Sequence, residues 1–362
     1  MKIALVHYWL VGMRGGEKVL EELCKLFPNA DIYTHVAIPE KLSDTLNAHR
    51  ITETFIGNLP GARKHYQKYL PLMPHALEAL DLSEYDLVIS SESGPAKGVI
   101  TRPDAVHICY VHSPMRYIWD QYHVYRKQSG FITRAIMPIL AHKLRIWDVT
   151  SARRIDKLVA NSKFVAKRTR KFWGRDADVI YPPVNTSEFR PKEYQEPQDF
   201  YLYAGELASY KRADLAIKAF KGSKRKLVVI GEGSERAKLE EMAGENITFL
   251  GKVPFDELKR HYAQCKALIF PGVEDFGIIP VEVMASGRPV IAYAGGGALE
   301  TVVDGETGVL FDEPSSKCLT EAMEKLEATY KKFDQKKIIE HAEQFSNCRF
   351  QKEIMEMISR SV

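Results

Sequence analysis

The sequence has few features that would crosslink the chain or anchor it in a membrane. Its 362 residues include only five cysteines, none in a C-x-x-C pair: Cys24, Cys109, Cys265, Cys318 and Cys348. This odd, scattered set argues against a disulfide framework or a zinc site and favours a reducing cytosol. No run of about 18 apolar residues occurs, so no membrane-spanning helix is expected. The apolar start at residues 3–6 has no A-x-A cleavage site and is predicted to be a first strand, not a signal peptide.

Charge of one sign is nearly absent from one segment. Residues 114–175 hold fifteen Lys and Arg against three acids, whereas the rest of the chain holds 36 basic and 44 acidic residues. Such asymmetry indicates a face that meets an anionic surface. The alternative is an ordinary solvated helix face.

Composition and patterning predict an α/β protein of two domains. With 45% hydrophobic and 27% charged residues, the chain is of ordinary globular composition. Short β-rich runs alternate with helical patterns, which predicts βαβ units and two doubly wound, Rossmann-like parallel sheets. Pro182 and Pro183, followed by a polar stretch to residue 198, favour a boundary there. We therefore predict domains at 1–183 and 184–345, with a helix at 346–362 that packs back on the N-terminal domain.

In open α/β sheets, ligands bind beyond the carboxyl ends of the strands, so glycine-rich loops at those ends are candidate sites. Gly15 and Gly16 precede a helix and would let main-chain N–H groups approach an anion, although a plain tight turn explains them equally. No acidic residue stands where a nicotinamide fingerprint requires one. Gly231 and Gly233 lie in a similar strand-to-helix loop, suited to a base or a phosphate.

The strongest local pattern runs from Glu274 to residue 289. Pro280 suits a first helical position, so N–H groups of Phe276, Gly277 and Ile278 are expected to face an anion. Glu282 would then lie in the first helical turn and accept hydrogen bonds from two ribose hydroxyls, while Glu274 reaches a sugar hydroxyl. The alternative is two acids that merely cap the helix.

Positive charge for a diphosphate is expected from Lys211 and Arg212, which follow a predicted strand. An exposed pair at a helix start is the alternative. The D-x-D pattern of Asp176 and Asp178 lies beside the predicted domain boundary, and no metal role is expected for it.

These motifs resemble the retaining GT-B glycosyltransferases of family 4, in which two Rossmann-like domains face a central cleft. The resemblance rests on the Glu-x7-Glu block, the Gly-Gly-Ala-Leu-Glu-Thr turn, Tyr210-Lys211-Arg212 and Val159-Ala160-Asn161-Ser162. A second group, Ala96-Lys97-Gly98, residues 109–114 and Ile118-Trp119-Asp120, resembles the branch of O-antigen mannosyltransferases.

The resemblance implies a role for each matching residue. For the phosphates, it implies contact with Gly15 and Gly16 and binding by Lys211. For the sugar, it implies that His112 lies near it and that Glu274 positions it. Phe276, Gly277 and Ile278 would donate main-chain hydrogen bonds to sugar and phosphate, and Glu282 would bind the ribose. The sequence departs from the family at Glu206, where many members carry arginine. Arg212 is a substitute, or the diphosphate relies on Lys211 and helix N-termini.

The resemblance further implies sugar transfer with retained anomeric configuration, the nucleotide sugar being a substrate. No cofactor or metal is expected. The cysteine pattern favours the cytoplasm, and a lipid-linked acceptor would place the chain at the inner face of the cytoplasmic membrane. GDP-mannose is the first choice of donor; a UDP-sugar enzyme and a non-catalytic nucleotide-sugar binder are the alternatives. The acceptor is expected to be a glycan or a polyprenyl-linked molecule. No nucleic-acid partner is expected. Peripheral contact with an anionic membrane is expected from residues 115–175, where seven aromatic residues alternate with cations: Tyr117, Trp119, Tyr122, Tyr125, Phe131, Trp147 and Trp173. The alternative places those aromatic residues in the core.

Overall fold

A computed structural model describes residues 1–193 and 196–361, which divide into two compact units. The first unit comprises Met1–Tyr181 with Phe350–Val362, and the second comprises Pro182–Arg349. The division lies two residues before the predicted boundary, and the returning segment starts at Phe350 rather than at 346. Residues 194–195 of the predicted linker and residue 362 of the predicted last helix lie outside the described residues.

The first unit is built on a parallel sheet with the order β3-β2-β1-β4-β5-β6-β7. Its strands are β1 Ile3–His7, β2 Asp31–Thr34, β3 Ile51–Glu53, β4 Leu87–Glu92, β5 Val106–Val111, β6 Lys157–Ala160 and β7 Asp178–Val179. The central strands are buried on both faces, which explains their almost continuous apolar sequence. Strands β1, β4 and β5 are adjacent, so their carboxyl ends meet at one edge.

Helices cover this first sheet. They are α1 Gly15–Leu26, α2 Asp44–Asn47, α3 Ala62–His65, α4 Met73–Glu78, α5 Tyr122–Gln128, α6 Phe131–Ala152 and α7 Lys163–Trp173. Short 3-10 turns add Pro39–Lys41, Phe55–Asn58 and Tyr66–Leu72. Helix α1 shows the cause of the packing, because Val19, Leu20, Leu23 and Cys24 recur at helical spacing and are all buried.

The second unit repeats this plan with a sheet ordered β10-β9-β8-β11-β12-β13. Its strands are β8 Tyr201–Ala204, β9 Leu227–Ile230, β10 Ile247–Gly251, β11 Leu268–Phe270, β12 Val290–Tyr293 and β13 Gly308–Phe311. Its helices are α8 Thr186–Phe189, α9 Ala213–Phe220, α10 Arg236–Met242, α11 Phe255–Gln264, α12 Ile278–Ala285, α13 Ala298–Thr301, α14 Ser316–Thr329 and α15 Gln335–Glu343, with 3-10 turns at Ser209–Lys211 and Tyr330–Lys332. The α/β class with two Rossmann-like sheets is confirmed.

The last helix, α16 Asn347–Ser361, supplies apolar residues to the core of the first unit. Phe350, Ile354 and Ile358 recur at helical spacing and belong to the same buried cluster as Leu5 and Leu20. Phe350 also packs edge-on against Tyr110 of β5, with ring centroids 5.7 Å apart.

Candidate functional site

Within the second unit, the loops after β8 and β11 bring two predicted site residues together. The Nζ of Lys211 is ion-paired with Oε1 of Glu274, and both side chains are largely buried. Main-chain packing fixes the pair, because a Cβ on Gly272 would lie 2.8 Å from the carbonyl oxygen of Lys211. Only glycine permits this approach of the two loops. Gly272 was not identified from the sequence, although its place two residues after β11 is a usable signal.

The triple-glycine loop after β12 holds Glu274 from the other side. The N–H of Gly297 donates to the carbonyl oxygen of Glu274 at 2.9 Å. A Cβ on Gly297 would overlap the main chain of Phe276. The carboxylate of Glu274 therefore stands on a loop braced by main-chain contacts, which suits a group that must keep its position.

Helix α12 begins at Ile278, preceded by Gly277 with a φ of 91° that favours glycine. Pro280 is therefore the third helical residue, not the first. The prediction that Glu282 lies in the first turn is wrong, because Glu282 is five residues into the helix and no acid occupies that turn.

The carboxylate of Glu282 is buried, with 6% of the residue exposed. The hydroxyl of Tyr262, on α11, donates to its Oε2 at 3.3 Å. Tyr262 is itself 1% exposed and was not identified from the sequence. Tyr262 lies in an amphipathic helix, so the sequence pattern indicates a core residue. No local sequence pattern links it to Glu282, which is 20 residues away.

The structure places Arg212 away from this pair. Its Nε donates to Oδ1 of Asp214 at 2.9 Å, and its backbone is left-handed with a φ of 57°. Arg212 caps the 3-10 turn Ser209–Lys211 at its end and α9 at its start. Its left-handed backbone therefore directs Lys211 and Arg212 to different partners. Glu206 is exposed. The arrangement supports Lys211, not Arg212, as the cation beside Glu274.

Gly231 and Gly233 have a packing role that the sequence analysis did not anticipate. A Cβ on Gly231 would overlap the carbonyl oxygen of Gly205, and one on Gly233 would overlap the main chain of Leu207. The N–H of Leu207 donates to the carbonyl of Glu232 at 2.8 Å. The two glycines thus join the loops after β8 and β9, backbone against backbone.

In the first unit, His112 lies directly after β5 and bonds to a residue of the neighbouring strand. Its Nε2 lies 2.7 Å from Oγ of Ser91, and the same Oγ lies 3.0 Å from Nδ1 of His7. His7 and Ser91 are register partners at the ends of β1 and β4. Burial, with His112 nearby, holds the pKa of His7 well below its ordinary value. Two histidines therefore share one hydroxyl at the carboxyl edge.

Gly15 and Gly16 are the first two residues of α1. A Cβ on Gly16 would overlap the hydroxyl of Tyr8, so this glycine lets the helix start approach the end of β1. The carboxylate of Glu17 accepts a hydrogen bond from the N–H of Arg14 at 3.1 Å. Burial raises the pKa of Glu17 from 4.5 to about 7. Hydrogen bonds from the main-chain N–H groups of Glu17 and Arg14 act in the opposite direction and lower this pKa.

A buried charged cluster near the same edge was missed as a unit. Lys97, fully buried, is ion-paired with Asp148 and lies 3.2 Å from Oε1 of Glu92. Burial opposes its charge, but Asp148 and then Glu92 raise the pKa of Lys97 above its ordinary value. The indole N–H groups of Trp119 and Trp173 donate to Asp148 at 2.7 and 2.6 Å. This network satisfies groups that would be costly to bury alone.

The expectation that all seven aromatic residues of 115–175 face a membrane is wrong for most of them. Tyr122 and Trp173 are buried, and the hydroxyl of Tyr117 is inaccessible to solvent. The indole N–H groups of Trp119 and Trp147 donate hydrogen bonds within the protein. The indole N–H groups of Trp119 and Trp173 donate to Asp148, that of Trp147 donates to Glu78, and Tyr117 and Tyr122 pack in an apolar cluster. Phe131 and Tyr125 remain exposed, at 85% and 39%.

Instead, α5 and α6 present a patch of exposed apolar residues, which we call the α5–α6 patch: Val124, Tyr125, Phe131, Ile132, Ile136 and Ile139. It borders a cavity of about 400 Å³ whose walls include Leu70, Pro71, Met137 and Leu140. No acid occurs from residue 121 to residue 147, where five Lys and Arg do. The patch is thus apolar within a cationic surround.

The two aspartates of the D-x-D pattern are engaged in ion pairs. Asp178 pairs with Lys157 at 2.5 Å, and Asp176 pairs with Arg170 at 3.2 Å. Across residues 1–193 and 196–361, no group of three or more His, Cys, Asp or Glu side chains is arranged to hold a metal ion. Within the same ranges, every helix is too short or too polar to traverse a bilayer.

Comparison with known proteins assigns both units. Residues 13–188 match the model of Glycosyltransferase Family 4, and residues 185–345 match that of Glycosyl transferases group 1. The chain is 31% identical over 153 residues to the O-antigen chain mannosyltransferase of Salmonella typhimurium, covering 39% of this chain and 43% of that protein. It is 28% identical over 208 residues to the GDP-mannose-dependent alpha-(1-6)-phosphatidylinositol monomannoside mannosyltransferase of Mycolicibacterium smegmatis, covering 48% and 54%. It thus spans about half the length of these curated relatives.

A solved structure extends the likeness along the chain. The fold is similar to that of Anabaena HepE in complex with UDP, with a TM-score of 0.72 at 18% identity over 99% of this chain and 100% of that one. The two family models adjoin and together span residues 13–345. The chain therefore belongs to the family 4 glycosyltransferases with the GT-B fold.

Proposed function

We propose that the chain is a retaining glycosyltransferase that transfers mannose from GDP-mannose to a glycan or polyprenyl-linked acceptor in cell-surface polysaccharide assembly. The observation that carries this proposal is the Lys211–Glu274 pair, braced by main-chain contacts at the carboxyl edge of the second sheet. A cation and a carboxylate at one edge match the two parts of a nucleotide sugar, since a diphosphate needs positive charge and sugar hydroxyls need acceptors.

In the proposed reaction, the bond from the anomeric carbon to the diphosphate oxygen breaks and a bond to the acceptor oxygen forms on the same face. The acceptor proton passes to the departing phosphate oxygen. Lys211 and the main-chain N–H groups at the start of α12 would stabilise the negative charge that develops there. Glu274 and His112 would hold the sugar, Glu282 the ribose, and Gly15 and Gly16 would let α1 approach phosphate. Catalysis then consists of positioning and charge stabilisation.

The choice of mannose and guanine rests on relatives. Two similar proteins are described as mannosyltransferases, one of them GDP-mannose-dependent. The competing candidate is a UDP-sugar, because the structurally similar HepE was solved with UDP.

The α5–α6 patch supports the acceptor side of the proposal. We infer that it rests on an anionic bilayer that carries a lipid-linked acceptor. Exposed Phe131 and Ile132 would enter the interface, and Arg126, Lys127 and Lys143 on the same two helices would meet anionic headgroups. The absence of acids from residue 121 to residue 147 provides the charge complementarity.

A donor panel tests the function directly. The chain is incubated with GDP-mannose, UDP-glucose or UDP-N-acetylglucosamine, with and without EDTA, and released nucleoside diphosphate is measured. We expect GDP release from GDP-mannose that EDTA does not reduce. Faster release from a UDP-sugar would replace the donor assignment. Nucleotide binding without any release would identify a non-catalytic binder.

A further inference from the structure

The strand-end hydroxyl of Ser91 links two imidazole rings in the first unit. Its Oγ lies 3.0 Å from Nδ1 of His7 and 2.7 Å from Nε2 of His112. His7 and Ser91 are fully buried, and His7 also stacks on Tyr8 with ring centroids 4.1 Å apart. These contacts restrict the rotation of His7 and Ser91, so the protons on the two imidazole nitrogens that face Ser91 depend on its single hydroxyl.

Proton counting restricts the arrangement. Ser91 has one hydroxyl proton, so it donates to one imidazole nitrogen and accepts from the other. Among the described residues, Nε2 of His7 is buried and has no hydrogen-bond partner. A buried N–H without an acceptor is rare in proteins because its lost hydration is not replaced. The proton of neutral His7 therefore belongs on Nδ1, where it is donated to Ser91, and the hydroxyl of Ser91 is donated to Nε2 of His112.

We propose that His7 and Ser91 are positioning residues that hold His112 neutral, with its proton on Nδ1, so that His112 presents a fixed N–H donor. A charged His112 would need a proton on Nε2 as well. That proton would reverse the hydroxyl of Ser91 and move the proton of His7 to its partnerless Nε2. The catalytic consequence rests on the proposed function, whereas the proton arrangement itself does not.

The charged groups brought near His112 by neighbouring elements are already paired. Glu92, whose carbonyl accepts the N–H of His112 at 2.8 Å, has its carboxylate bonded to Lys97, which is paired in turn with Asp148. Arg168 of α7 reaches Ser113 at 2.7 Å and is bonded to Asp120. Tyr110 packs edge-on against the His112 ring at 5.2 Å. The contact with Ser91, and through it with His7, thus restricts the proton on Nε2 of His112.

Histidine nitrogen resonances test the proton arrangement without any donor. In the full chain labelled with ¹⁵N-histidine, the signals lost in His112→Asn identify His112. We expect a protonated Nδ1 and an unprotonated Nε2 at neutral pH. His7→Asn keeps an N–H close to the Nδ1 position and should preserve this pattern, whereas His7→Phe keeps the stacking but removes the donor and should abolish it. A protonated Nε2 in the unsubstituted protein, or an unchanged His112 pattern in His7→Phe, would overturn the proposal.

Kinetics with GDP-mannose test the consequence. Loss of one buried hydrogen bond predicts about a five- to tenfold fall in kcat for Ser91→Ala, with the donor KM within about twofold. The acidic limb of its pH–activity profile should move to higher pH, because His112 can then be protonated without involving His7. Ser90→Ala is the matched control, since Ser90 bonds to His107 instead, at 2.8 Å. Equal effects of the Ser90 and Ser91 substitutions would contradict the positioning role. Absent turnover in every protein refutes the proposed function and leaves the resonance test valid.

Discussion

Lys211 and Glu274, which follow the neighbouring strands β8 and β11, form an ion pair at the carboxyl edge of the second sheet. Each side chain is about four-fifths buried, at 19% and 16% exposure. A bound diphosphate would compete with Glu274 for Lys211. Under the proposed function, the pair would couple sugar recognition to diphosphate recognition in a single contact.

The first prediction follows from this competition. Glu274→Gln removes the carboxylate but keeps its shape, so Lys211 loses its protein partner and becomes available to a diphosphate. We expect kcat to fall by about a hundredfold or more, as for a lost transition-state contact, while GDP binds as tightly or a few fold more tightly. Steady-state kinetics and calorimetry measure the two effects. Asp304→Asn, which breaks an exposed pair with Lys325, is the control. Weaker GDP binding by Glu274→Gln would place the carboxylate on the nucleotide instead.

The second prediction concerns Glu282 and Tyr262. If Glu282 binds the ribose, Glu282→Ala should weaken GDP binding by about 1.5–3 kcal/mol, the usual worth of a hydrogen bond to a charged acceptor. Tyr262→Phe removes one orienting hydroxyl and should cost about 1 kcal/mol. The two losses should be less than additive, because the tyrosine acts through the carboxylate. Calorimetry on the four proteins of the cycle measures this coupling.

Tyr330→Phe is the control for that cycle. It also removes a tyrosine hydroxyl, one that donates to the carbonyl of Lys266 at 3.1 Å. Full additivity of the Tyr262 and Glu282 substitutions would mean that the 3.3 Å contact does not position the carboxylate.

The third prediction separates packing from ligand contact at Gly231. Gly231→Ala must relieve an overlap with Gly205 at a φ of 139°, which should cost about 3 kcal/mol and lower the Tm by about 10 °C. Gly222→Ala is the control, because its φ is 76° but no atom lies within 4 Å of the added carbon. It carries backbone strain alone, about 1 kcal/mol. Equal Tm values for the two variants would refute the packing role.

The fourth prediction is a pH dependence at the start of α1. The pKa of Glu17 is raised from 4.5 to about 7, so between these values the folded chain holds more protons than the unfolded chain. The contribution of Glu17 to the free energy of unfolding therefore falls as pH rises from about 4.5 to about 7, by at most about 3 kcal/mol. In Glu17→Gln, residue 17 does not titrate, so its contribution to the free energy of unfolding should not change with pH.

Denaturant unfolding of both proteins across that range measures the difference. The stability of Glu17→Gln relative to the unsubstituted chain should increase from pH 5 to pH 7.5 and then level off. A difference that stays constant with pH would show that Glu17 is not held in its protonated form by burial.

Most strands and their edge loops could be predicted from the sequence, because a parallel strand buried on both faces is a distinct apolar run. Residues 158–160 of β6 and 309–311 of β13 are such uninterrupted apolar runs. Helix α6 was not predicted, because Pro138 and the polar residues among its isoleucines disguise its periodicity. Its length and the neighbouring helices sustain the helix despite the proline.

The contacts that define the candidate site were harder to predict from the sequence than the strands. Residue types identified Lys211 and Glu274, but their pairing depends on Gly272, which lies 61 residues from Lys211 in the chain. Arg212 and Lys211 are equivalent in charge and adjacent in sequence, and only the left-handed backbone of Arg212 separates their partners. Burial of Trp119 and Trp173 around Asp148 depends on packing between distant segments, which no local pattern encodes.

The last prediction concerns the α5–α6 patch. Insertion of Ile132, 73% exposed, into a lipid interface would remove most of its surface from water, a gain of about 1.5 kcal/mol or more. Ile132→Ser should therefore reduce co-sedimentation with phosphatidylglycerol vesicles about tenfold. Ile100→Ser is the matched control, since Ile100 is a 51% exposed isoleucine of the same unit outside the patch.

The cations of the patch supply a separate signature. Lys127→Gln with Lys143→Gln should weaken binding at about 0.1 M salt by about 1 kcal/mol for each charge, and much less at about 1 M, where the Debye length is only about 3 Å. Lys317→Gln with Lys352→Gln changes the net charge equally at exposed sites on α14 and α16 and should leave binding intact. If both double variants weaken binding alike, the attraction comes from the net charge of the whole chain. If the protein stays in the supernatant with phosphatidylcholine and with phosphatidylglycerol vesicles at both salt concentrations, a bilayer is not its partner, and a soluble glycan acceptor is favoured instead.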